Sequence, residues 1–159
     1  MGKNNPAADL IACLQAEHDA WKGFVTLLET EQQALVSGNT EQLLALVDSK
    51  VLAAQSLGKL ANERRESLLA CGGKVETDGL TSWLQTNAAN SLPVWNGILQ
   101  LSEQAQQLNR TNGILIQTRL RQNQQALMVL QNATDSTNGL YGPDGQPSMS
   151  ASGRTLGSV

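Results

Sequence analysis

Cys13, His18 and Cys71 are the residues of this chain whose types best suit covalent or metal chemistry. A thiol nucleophile needs a base held beside it, and a structural zinc ion needs four nitrogen or sulfur ligands. Cys13 and His18 stand five residues apart, an offset that does not put them on one narrow helical stripe. With a single histidine and two cysteines the chain offers a poor zinc set. It has no Glu-x-x-His motif for a di-iron bundle and no Gly-x-x-x-x-Gly-Lys-Ser/Thr loop for nucleotide phosphates. We therefore expect no catalytic, cofactor-binding or metal-binding residues, no cofactor, and no enzyme. His18 is expected to sit in a helical seam with its polar tip reaching solvent. If two helices form a hairpin about Gly38, Cys71 lies past the level of Cys13 by about eight residues, or roughly 12 Å. That exceeds the ~7 Å reach of a disulfide, so both are expected to be free thiols in a reducing cytoplasm.

The elements that would position any site are helical. Hydrophobic residues make up 40% of the chain and aromatics only 3%, so Leu, Val and Ala must build the core. That suits helices better than aromatic-rich strands. Its 159 residues are enough for one domain with a modest core. A net charge of −3 disfavours non-specific binding to nucleic acid. No window approaches ~18 apolar residues, so membrane insertion is not expected. Asp9, Glu17 and His18 interrupt the N-terminal apolar stretch, which does not read as a secretory signal. Pro6 stands where the myristoylation pattern needs Ser or Thr.

A first helix is predicted over about 7–37, capped by Asn5 or Asp9. Leu14, Trp21, Leu28 and Leu35 recur every seven residues, and Ile11, His18, Val25 and Gln32 fill the alternate positions. Gly38 is a natural left-handed stop, and Asn39 or Thr40 restarts the chain. So short a connection predicts an antiparallel neighbour running to about Cys71. Its expected inner stripe is Leu44, Val47, Val51, Ala54, Ala61 and Leu68. Glu63, Arg64, Arg65 and Glu66 read as a solvated mixed-charge patch. A loop follows, then one or two helical turns over Leu80 to Thr86, with Trp83 packing onto the hairpin.

Asn90 or Ser91 can cap a third long helix, with Pro93 in its first turn. Its early seam is Val94, Ile98, Leu101, Ala105, Leu108 and Leu115. From there the stripe shifts to Ile116, Leu120, Leu127 and Leu130, like a coiled-coil stutter. The shift predicts that the first half packs within the domain and the second half faces elsewhere. Residues 108–133 contain Arg110, Arg119 and Arg121 and no acidic residue. Arg119 and Arg121 suit either an acidic partner or a solvated face. Gly97 and Gly113 read as close packing or as a hinge. An amphipathic helix with adaptable amide flanks is suited to docking another helix. The fold class is thus all-α: an antiparallel bundle or coiled coil of three main helices plus a short one. Residues 138–159, rich in Gly, Ser, Pro and Thr, are expected to form a flexible tail.

The last third also carries a resemblance. Asn109-Arg-Thr-Asn-Gly-Ile-Leu-Ile, then Arg119-Leu-Arg-Gln-Asn-Gln-Gln-Ala-Leu, then Leu140-Tyr-Gly-Pro-Asp-Gly-Gln resemble the C-terminal signature of the FlgN family, the bacterial flagellar type III export chaperones. The helical pattern extends the likeness loosely over residues 7–137, and its specific part is Asn109 to Gln146. The resemblance implies a cytoplasmic chaperone domain over 1–137. Its C-terminal helix, about 92–135, would bind the C-terminal helical regions of the hook–filament junction proteins FlgK and FlgL. Combined with the stripe, it assigns client binding to Leu108, Leu115, Ile116, Arg119, Leu120, Leu127 and Leu130. It implies docking of Tyr141 at the export gate protein FlhA; a tail aromatic tucked onto the bundle is the plainer reading. A self-associating coiled-coil adapter, a homo-oligomer without client activity, is the alternative function.

Overall fold

The computed structural model describes residues 5–138. Helix α1 spans Pro6–Ser37, α2 Thr40–Ala70, α3 Gly79–Asn87 and α4 Leu92–Asn138, with a 3-10 turn at Ala89–Ser91 before α4. No strand occurs among the described residues, and the all-α class stands as expected. None of these helices is long and apolar enough to cross a membrane. The expected tail lies outside the described residues apart from Asn138, where α4 ends.

Local chemistry sets the ends. The Asn5 side chain accepts a hydrogen bond from the Ala7 N–H at 3.3 Å, and Pro6 opens the helix where a missing N–H costs little. Gly38 closes α1 at φ 77°, a left-handed conformation that other residues adopt at a cost. Asn39 then caps α2 by accepting from the Gln42 N–H at 3.0 Å.

The chain divides into two compact units, one ending at Ile116 and one beginning at Gln117. In the first unit α1 and α2 form the antiparallel hairpin. The beginning of α4 runs along α1 in the same direction: Gly97 meets His18, and Asn112 meets Leu28 and Glu31. One buried cluster joins Leu10 and Leu14 to Leu68, Leu80, Leu84, Trp95 and Ile98. Trp83 packs on that cluster, as expected, and donates from Nε1 to the Cys71 carbonyl at 3.3 Å. A second cluster joins Phe24, Val25 and Leu28 to Leu57 and Ala105.

Two expected stripes are displaced in part by one residue. In α1 the heptad residues Leu14, Leu28 and Leu35 are buried as expected, and so is Val25, but Leu10, Glu17 and Phe24 fill inner positions beside them, and Ile11 is exposed. In α2, Leu44, Val47, Val51 and Ala54 face solvent. The inner positions are Leu43, Leu46, Lys50, Ala53, Leu57, Leu60, Arg64 and Leu68, buried or half-buried at steps of three and four. The reason is charge. The true seams carry Glu17, Glu31, Lys50 and Arg64, which apolar periodicity alone passes over.

Those four charges neutralise one another in pairs. Arg64 Nε donates to Glu17 at 2.7 Å, and Lys50 Nζ to Glu31 at 2.8 Å. Fourteen residues separate the two glutamates and fourteen separate the two cations, two heptads in each case. A slip of α2 by one heptad would set these cations against Leu10 and Phe24, or against Phe24 and Gly38, so the pairs fix the register. The expected solvated patch is corrected accordingly: Glu63, Arg65 and Glu66 are exposed, but Arg64 turns inward. Its guanidinium lies 4.9 Å from the centre of the Trp95 ring, so α4 closes over the pair. His18 also departs from expectation. Its ring lies against Gly97, and its Nδ1 is buried without a hydrogen-bond partner.

Candidate functional site: the apolar stripe of α4

The seam of α4 in the first unit is Ile98, Leu101, Ala105, Leu108 and Asn112. Asn112 is 1% exposed, and its Nδ2 donates to the Leu28 carbonyl at 2.9 Å and to Glu31 at 2.8 Å. Glu31 therefore ties α1 to both α2 and α4.

In the second unit the apolar stripe of α4 continues without burial. Leu120 is 58% exposed, Leu127 59% and Leu130 63%, and every residue from 120 to 135 is exposed. Asn123, Ala126, Leu127 and Leu130 line a shallow depression along the helix. The residues assigned to client binding thus divide. Leu108 packs on the second core cluster, and Leu115 and Arg119 are half-buried. Ile116, Leu120, Leu127 and Leu130 are exposed, at steps that place them along one side of the helix. Tyr141 lies outside the described residues.

Two exposed residues escape a search for helical periodicity. Met128 and Val129 complete an unbroken apolar run from Ala126 to Leu130 and lie off the stripe. Their signal in the sequence is a block of consecutive apolar residues, which a search for one helical face discards. Over this turn and a half the helix is apolar on most of its circumference.

Reactive chemistry is scarce by comparison. Among the described residues no group of three or more potential metal ligands lies together. Cys13 and Cys71 are free thiols. Burial pushes the Cys13 thiol above its ordinary range, Glu17 and Glu63 push the same way, and Arg64 opposes them. Cys71 is raised by burial and then by Asp9.

A family model described as FlgN protein matches residues 1–149. The flagella synthesis protein FlgN of Salmonella typhimurium strain LT2 is 31% identical over 131 residues, covering 80% of this chain and 82% of that protein. The protein of the same name from Escherichia coli K12 is 30% identical over 128 residues, 77% of this chain and 78% of the other. That of Yersinia enterocolitica serotype O:8 is 30% identical over 152 residues, covering 91% and 93%. No solved structure matches.

Proposed function

This chain belongs to the FlgN family, and from that premise we propose that it is a cytoplasmic flagellar export chaperone, not an enzyme, whose α4 stripe covers the apolar face of a client helix. The observation that carries this reading is the exposed run of Ile116, Leu120, Leu127 and Leu130, reinforced by Met128 and Val129. Subunits that assemble through helices must have those helices shielded before assembly. Packing such a helix on α4 removes apolar area from water at about 25 cal/mol per Å². Release must follow, so the contact is a stripe with amide flanks and not an enclosed core. The relatives' printed names concern flagella synthesis, and we assign the clients as the C-terminal helical regions of FlgK and FlgL. Residues 1–137 form the chaperone domain in this reading, and Tyr141 in the tail docks at FlhA.

Titration calorimetry with the FlgK C-terminal segment tests the client site. Changing Leu120, Leu127 and Leu130 together to Ser should weaken binding at least about a hundredfold, given the ~1.5–3 kcal/mol that each buried leucine contributes. Circular dichroism should show the helices retained. Unchanged affinity in the folded triple variant would reject the proposed site. For the tail, Tyr141→Ala should weaken binding to isolated FlhA and leave FlgK binding intact; equal FlhA binding removes the docking role.

A further inference from the structure

A groove of about 470 Å³ runs between α1 and the early part of α4. Trp21 and Phe24 line it from α1, and Ser102, Ala105, Gln106 and Asn109 line it from α4. The two rings meet edge to face, with centroids 6.0 Å apart. Phe24 and Ala105 belong to the second buried cluster, whereas Trp21 is only half-buried. The three tryptophans also differ in their indole N–H. Trp83 donates to the Cys71 carbonyl and Trp95 to the Thr81 hydroxyl, but Trp21 makes no hydrogen bond among the described residues. Trp21 thus presents an apolar ring and an unspent donor to an open groove.

The α4 side of this groove continues the stripe. Steps of three and four lead back from Ile116 through Gly113, Asn109, Gln106 and Ser102, all in the first unit. That spacing keeps them on the side of the helix where Ile116 stands. The floor is low: Ala105 carries only a methyl group, and a Cβ at Gly113 would meet nothing within 4 Å. Small residues let a second helix approach closely.

We propose that a client helix seated at Ile116 runs back into this groove, with Trp21 of α1 as its aromatic anchor. Aromatic side chains in such pockets commonly carry much of an interface's energy. The client selected is an amphipathic helix whose apolar stripe reaches two heptads beyond its contact at Ile116, the distance back to Ser102. This deepens the function proposed above and rests on it.

The backbones of α1 and early α4 are already held in the core, so a side-chain probe suits this contact better than amide exchange. Labelling the chain with 5-fluorotryptophan gives three fluorine resonances, and Trp21→Phe assigns one of them. On addition of the FlgK C-terminal segment, the Trp21 resonance should move and that of Trp83 should stay. In titration calorimetry Trp21→Ala should weaken the segment's binding at least about tenfold, as loss of an aromatic anchor does. Gln106 is exposed, so Gln106→Glu leaves the fold intact and decides the matter should Trp21→Ala fail to fold. It should bind at least about threefold more weakly than Gln107→Glu, which carries the same charge off the groove. A Trp21 resonance that stays still, or equal binding by the two glutamate variants, overturns the proposal, and the stripe is then tested separately by its own triple serine variant. If the segment fails to bind the parent chain, the client reading falls and this one with it.

Discussion

Glu17 and Arg64 show how far a single charged residue can be misplaced by its neighbours in sequence. Arg64 stands in a run of four charged residues, and such runs usually face water. Its partner is 47 positions away, and nothing local announces it. Because Glu17 is 2% exposed, removing it strands a cation between α1 and Trp95. We expect Glu17→Ala to cost about 2–3 kcal/mol in urea unfolding, somewhat below a fully buried pair because Arg64 keeps some solvent contact. Replacing both members, Glu17→Leu with Arg64→Met, should fall within about 1 kcal/mol of the parent. An equal loss in the two proteins would mean that the pair contributes through packing alone. The thiols give a second residue-scale test. A raised thiol pKa leaves less thiolate at pH 8 than an unperturbed cysteine would have. Iodoacetamide should therefore modify Cys13 and Cys71 more slowly than a free cysteine. Their rates should keep climbing as pH passes above the ordinary thiol range; rates matching free cysteine would contradict the burial argument.

Among the elements, helix number, order and ends were readable because capping chemistry is local: Asn5, Gly38 and Asn39 act within a few residues of themselves. The face each helix turns inward was less readable. In α2 a row of apolar residues and a row interrupted by Lys50 and Arg64 compete one residue apart, and only the glutamates of α1 decide between them. The two glycines of α4 separate in the same way. A Cβ on Gly97 would lie 2.8 Å from His18 Nε2, whereas one on Gly113 would meet nothing within 4 Å. Gly97 is thus a packing glycine. Gly97→Ala should lose about 1 kcal/mol, the strain at His18 outweighing its helix propensity. Gly113→Ala should gain up to about 1 kcal/mol from propensity alone. Thermal unfolding of the two variants checks the contrast, and a gain at Gly97 equal to that at Gly113 would contradict the close contact.

At the scale of the whole molecule, two charge pairs fix the register of one hairpin, Asn112 ties α4 to it, and apolar faces stay uncovered on α2 and α4. The sequence announced the α4 surface by its shifted leucines, and only the fold showed that the α2 surface exists. The proposed function depends on the first of these being a contact surface for another helix. Amide hydrogen exchange with and without the FlgK C-terminal segment tests that dependence most directly. Slowed exchange is predicted between residues 114 and 135 of α4, with α1 and the early seam of α4 little changed. A bound client that slows exchange elsewhere and leaves this stretch as it was would contradict the assignment of α4 as the client surface.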